Sequence, residues 1–154
     1  STIALGFVFI YPSVVNPTIK MQGMLVSADN LPQNQFSFSV SSKLTQSSQN
    51  SEKELELSFV FPNNFPYKVQ QLFSTSTPHT EHLPYYVLMG YCYSILDNDS
   101  IFVQCAYDKE ASLLIINWGD DNNKYLVAST DPSTPPQEIM DYFQDFLNEY
   151  CNNG

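Results

Sequence analysis

Apolar residues in the stretch 133–150 (STPPQEIMDYFQDFLNEY) recur at helical spacing. Ile139, Met140, Phe143, Phe146, Leu147 and Tyr150 share one stripe, while Glu138, Asp141, Asp145 and Glu149 occupy the other side. A start signal precedes the stripe: Thr134 is placed to N-cap, Pro135 to fill N1 and Gln137 to complete a capping box. The pattern predicts one amphipathic helix over 134–150. At roughly 1.5–3 kcal/mol per fully buried large side chain, the stripe contributes on the order of 10 kcal/mol before ordering entropy is subtracted. A sheet elsewhere in the chain must therefore receive it.

The strand signals supply that sheet. Residues 3–11 (IALGFVFIY) are continuously apolar and rich in β-formers, which predicts a strand buried on both faces; a second follows over 18–27. Phe36, Phe38 and Val40 alternate with serines, and Leu55, Leu57, Phe59 and Phe61 alternate with Glu54, Glu56 and Ser58. These two strands read as an antiparallel hairpin joined by a polar loop at 47–52. The segment 62–84 holds four prolines and reads as an irregular connection, with at most a short helix over 67–73, dividing two β-rich halves. A meander then runs over 85–96, 100–107, 112–118 and 124–128. A two-residue turn at Asn98-Asp99 would set Cys92 directly opposite Cys105, as two reduced thiols packed like small hydrophobes.

Composition narrows the partners. At 154 residues the chain fits a single domain over 1–154 with its Pro-rich connection at 62–84. Charged residues make up 14% and the net charge is -10. All six basic residues are lysines, so bidentate recognition of phosphate by arginine is absent. Such a chain repels nucleic acid and anionic membranes and favours a basic partner. No run approaches the 18 apolar residues of a membrane span, and 3–11 lacks the flanks of a signal peptide. Three cysteines, an odd number, argue against a disulfide framework and for a reducing, cytoplasmic setting.

Chemistry-bearing motifs are sparse. His79 and His82 form H-x-x-H, but flanking Pro78 and Pro84 oppose the helix that would aim both rings at one metal. Asp97, Asp99, Asp120 and Asp121 fall in turns without the glycine and distant glutamate of a calcium loop, so turn formation explains them. There is no G-x-S-x-G and no glycine-rich turn before a helix, which leaves catalysis and cofactor binding unsupported. Cys92 and Cys105 lie in aromatic strands, where burial makes a thiol inert. The residual anomaly is aromatic: Tyr85, Tyr86, Tyr91, Tyr93 and Tyr107 crowd one hairpin, and Tyr91 and Tyr93 share a face with Val87, Met89 and Phe102. Exposed tyrosine and methionine are typical of binding surfaces.

These readings give an α+β domain: about seven or eight mainly antiparallel strands, as a sandwich or partly open barrel, capped by the C-terminal amphipathic helix. Strands first and a closing helix, as in the ending KYLVASTDPSTPPQEIMDYFQDFLNEY, resemble pleckstrin-homology-like barrels in outline over the second half of the chain. Basic phosphoinositide-binding loops are missing, so the resemblance implies no headgroup binding. The expected function is a non-enzymatic protein-interaction or assembly module with an acidic surface, meeting its partner through Tyr85, Tyr91, Tyr93 and Phe102. A carrier of an apolar ligand under the C-terminal helix is the alternative, and self-association through a strand edge remains open.

Overall fold

The computed structural model describes residues 13–27, 35–46, 53–65, 67–69, 71–75, 82–94, 98–118 and 124–151. The described strands are β1 (Ser13–Val15), β2 (Ile19–Ser27), β3 (Phe36–Gln46), β4 (Lys53–Val60), β5 (Tyr67–Lys68), β6 (Gln71–Thr75), β7 (Tyr85–Ser94), β8 (Ser100–Asp108), β9 (Leu113–Trp118) and β10 (Lys124–Ser129). They are followed by α1 (Pro136–Tyr142), the single turn α2 (Gln144–Phe146) and a π-helical turn, Leu147–Cys151. The architecture is α+β, an antiparallel sheet curled into a barrel with a short C-terminal helix.

Each ring strand pairs with its neighbours in sequence: β2 with β3, β3 with β4, β4 with β6, β6 with β7, β7 with β8, β8 with β9 and β9 with β10. The ring returns to its start where β10 pairs antiparallel with β2, Lys124 opposite Ser27 through Ser129 opposite Gln22. An even number of ring strands lets antiparallel pairing close without a mismatch.

The remaining strands extend this ring across irregularities. Val15 faces Lys43 but Ile19 faces Val40, so Asn16, Pro17 and Thr18 stand opposite only Ser41 and Ser42. This bulge absorbs Pro17, which has no N–H to donate, and Asn16 secures it by donating its backbone N–H to Ser42 O at 2.9 Å and its Nδ2 to Ser42 Oγ at 2.8 Å. A second irregularity separates β5 from β6: Lys68 faces Tyr93 and Phe73 faces Met89, so the register against β7 steps by one residue between the two strands. Gly90 sits there because a Cβ would meet Leu72 Cδ2 at 2.6 Å and the Gln71 carbonyl oxygen at 3.1 Å.

Two apolar layers result. Inside the barrel, Met21, Phe38, Leu57, Leu72, Leu88, Val103, Leu114, Ile116, Trp118 and Leu126 are buried together. Outside it, Ile139, Phe143, Phe146 and Leu147 of the helical segment pack on Tyr85, Val87, Ala106, Ile115, Tyr125 and Val127, which project from the wall. The predicted helical stripe is the buried one. β9 and β10 are buried on both sides over 114–118 and 125–129, inward by the barrel and outward by the helix.

Several sequence expectations require correction. Thr134 does not cap the helix. Its Oγ1 lies 3.1 Å from Ser129 Oγ, and Asp131 accepts the Ser133 backbone N–H at 2.9 Å and hydroxyl at 2.7 Å. The helix therefore starts later, with Pro135 as cap and Pro136 as its first residue. Nor is it continuous, because Phe143 adopts φ -96, ψ 21 between α1 and α2. Phe143, Phe146 and Leu147 stay buried on the wall across this break. The described part of 67–73 forms strands β5 and β6 rather than a helix: Val69 and Leu72 turn into the core while Leu57 pairs with Leu72, so strand pairing overrides local spacing.

The β7–β8 register also differs from expectation. Tyr93 pairs with Ser100, so Cys92 faces Ile101 and Cys105 faces Leu88 rather than each other. Interior packing fixes this register, and Asn98 ahead of β8 takes φ 56 in the left-handed region. The shift of four residues keeps both sulfurs inside the barrel but separates them along it. The β3–β4 hairpin forms as expected. The strand expected at 3–11 and the loop at 47–52 lie outside the described residues.

Replacing Gly90 with Ala should lower stability by about 1–3 kcal/mol through overpacking against Leu72 and Gln71. Urea unfolding followed by Trp118 fluorescence measures this, and an unchanged midpoint would show that the β6–β7 seam yields freely.

Candidate functional site: an exposed aromatic face on β7 and β8

Strand alternation sends Tyr85, Val87, Met89, Tyr91 and Tyr93 to the outer side of β7, but the helical segment covers only the first two. Tyr85 is 2% exposed, its ring 5.1 Å from Phe143 and 6.1 Å from Tyr142. Beyond Val87 the cover ends, and Met89, Tyr91 and Tyr93 are 40%, 67% and 58% exposed. Phe102, the ladder partner of Tyr91, is half-buried, and the two rings meet edge to face at 5.7 Å and 66°. Of the four residues expected to meet a partner, Tyr91, Tyr93 and Phe102 therefore share an open face, joined by Met89. Tyr85 belongs to the helix contact instead.

The rim is polar. Lys68 is the ladder partner of Tyr93, and Asp99 precedes Ser100, the partner of Tyr93 on the other side. Gln71 donates its Nε2 to Glu56 Oε1 at 2.8 Å. On the helix side, Gln104 Oε1 is 4.0 Å from Cys151 Sγ, so the end of the π-helical turn borders the face. The register step between β5 and β6 lies against the β7 residues that carry Tyr91, a position where such irregularities often re-aim side chains.

A second polar constellation was not legible in the sequence. Asp108, buried at the end of β8, accepts the Tyr142 hydroxyl at 2.8 Å and the Ser112 hydroxyl at 2.5 Å. It fastens α1 to the β8–β9 turn, where Ala111 takes φ 60. The only hint in the chain was Tyr142, an aromatic residue standing off the apolar stripe. Burial, aided by the Asp108 hydrogen bond, pushes the Tyr142 hydroxyl up to about 12, and burial does the same to Tyr107.

The remaining candidates offer little chemistry. Cys92, Cys105 and Cys151 form no disulfide and are buried; burial raises the Cys105 thiol well above its ordinary value and Cys151 to about 12, which opposes nucleophilic use. His82 and Asp99 are exposed, while His79, Asp97, Asp120 and Asp121 lie outside the described residues. Among the described residues no group of three or more His, Cys, Asp or Glu is placed to hold a metal, and no helix is long and apolar enough to cross a membrane.

Two measurements test this arrangement. Tyr91→Ser and Tyr93→Ser should each shift stability by no more than about 0.5 kcal/mol, whereas Tyr85→Ala should cost roughly 3–5 kcal/mol, as for other buried aromatic residues; urea unfolding separates the two classes. Tyr107 and Tyr142 have hydroxyls raised from 10.0 to about 12 in the fold, so the folded state holds their protons longer than the unfolded chain. Their contribution is complete below pH 10 and is lost as the pH rises through 12. Urea midpoints across that alkaline range should fall, and less steeply in Tyr107→Phe and Tyr142→Phe.

Compared with known proteins, the chain matches no family model, no curated protein sequence and no solved structure.

Proposed function

We propose that this chain is a non-enzymatic protein-interaction or assembly module that docks a basic protein partner on the face formed by Met89, Tyr91, Tyr93 and Phe102. The observation that carries the reading is the abrupt end of the helix cover at Val87, which leaves three large side chains uncovered in a row on a packed barrel wall. Large amphipathic side chains on a rigid support lose little conformational freedom when a partner covers them. The net charge of -10 draws a basic surface toward them and disfavours pairing of two copies of the chain. Three buried cysteines outside any disulfide support an intracellular setting.

Affinity purification at graded salt tests this reading. A stoichiometric partner should be retained at low salt, leave as salt rises, and be lost with the double substitution Tyr91→Ser, Tyr93→Ser while the urea midpoint stays unchanged. Retention of that partner by the doubly substituted protein would sink the proposal.

A further inference from the structure

The chemistry of the exposed rings specifies the partner more closely. Tyrosine faces carry negative potential and attract a cation held over the ring, most effectively when both are shielded from water. The protein already makes such a contact on the same strand, where Lys109 Nζ sits 5.5 Å from the centre of the Tyr86 ring. Tyr86 is the inward neighbour of Tyr85, at the covered end of β7, and Tyr91 and Tyr93 stand at its uncovered end. These two side chains follow one another on the same outer side of the strand, so their spacing of two residues matches alternate side chains of an extended segment lying along it.

Charge and composition select the cation. The chain holds 16 acidic and 6 basic residues, all lysine, so no guanidinium from within the chain can lie on these rings. A guanidinium is planar and weakly hydrated, and it stacks on an aromatic face at a lower desolvation cost than an ammonium. Glu56, which accepts from Gln71, places a carboxylate at one side of the face, and Lys68, the ladder partner of Tyr93, marks the side from which a cation would be repelled.

We propose that Tyr91 and Tyr93, with Phe102 as the edge-on support of Tyr91, form a seat for arginine side chains of an extended, basic segment of the partner protein. This rests on the interaction reading above and specifies its partner. Each ring contributes about threefold to thirtyfold in affinity, the range from exposed to desolvated cation–π contacts.

The test uses the full chain and fluorescently labelled peptides in which arginine alternates with serine, compared by anisotropy with versions carrying lysine or uncharged citrulline. The arginine peptide should bind at least about threefold more tightly than the lysine peptide, and the citrulline peptide should not bind measurably. Tyr91→Phe and Tyr93→Phe should keep most of the affinity, while Tyr91→Leu and Tyr93→Leu should each lose about threefold to thirtyfold with unchanged urea midpoints. Equal binding of arginine and lysine peptides, or leucine variants that bind like the original protein, would overturn the arginine seat by showing attraction to net charge alone. That result leaves the interaction reading standing if the cellular partner still depends on Tyr91 and Tyr93. Loss of that dependence removes the interaction reading itself.

Discussion

The wall built from β9 and β10 is buried from both sides, and the rest of the molecule depends on that double burial. Leu114, Ile116, Trp118, Leu126 and Ala128 face the barrel interior, whereas Ile115, Tyr125 and Val127 face the helical segment. Neither layer is satisfied without the other: the strands need the helix to shield their outer apolar residues, and the helix needs the wall because so short a helix is marginal in isolation. The break at Phe143 and the π-helical turn at Leu147–Cys151 are the helical segment's accommodation to this curved support. Asp108 adds direction, binding Tyr142 and Ser112 at one end of the contact.

Where this double layer stops, a surface with other properties begins. β7 runs from beneath the helix into the open, so one strand supplies both a structural tyrosine, Tyr85, and the exposed Tyr91 and Tyr93. Rigidity and exposure are thereby combined. The backbone is held by pairing with β8 on one side and β5 and β6 on the other, while the rings project to solvent. The register step between β5 and β6 and the close approach of Leu72 and Gln71 to Gly90 belong to the same region.

The sequence by itself determined the helical stripe, the hairpin of β3 and β4, the four-strand meander and the face that Tyr91 and Tyr93 share with Phe102. Each of these follows from a period of about 3.6 or 2 and does not depend on which distant segment supplies the partner surface. The acidic, arginine-free character is likewise a property of composition alone. Only tertiary structure decided the register of β7 and β8, the strand identity of 67–68 and 71–75, and the closure of β10 onto β2. These depend on contacts between residues far apart in the chain: Leu57 with Leu72, Cys105 with Leu88, and Lys124 with Ser27. The separation of Tyr85 from its exposed neighbours was decided in the same way. The three tyrosines are equivalent in local pattern, and only the length of the helical segment laid across the wall determines which of them water, or a partner, can reach.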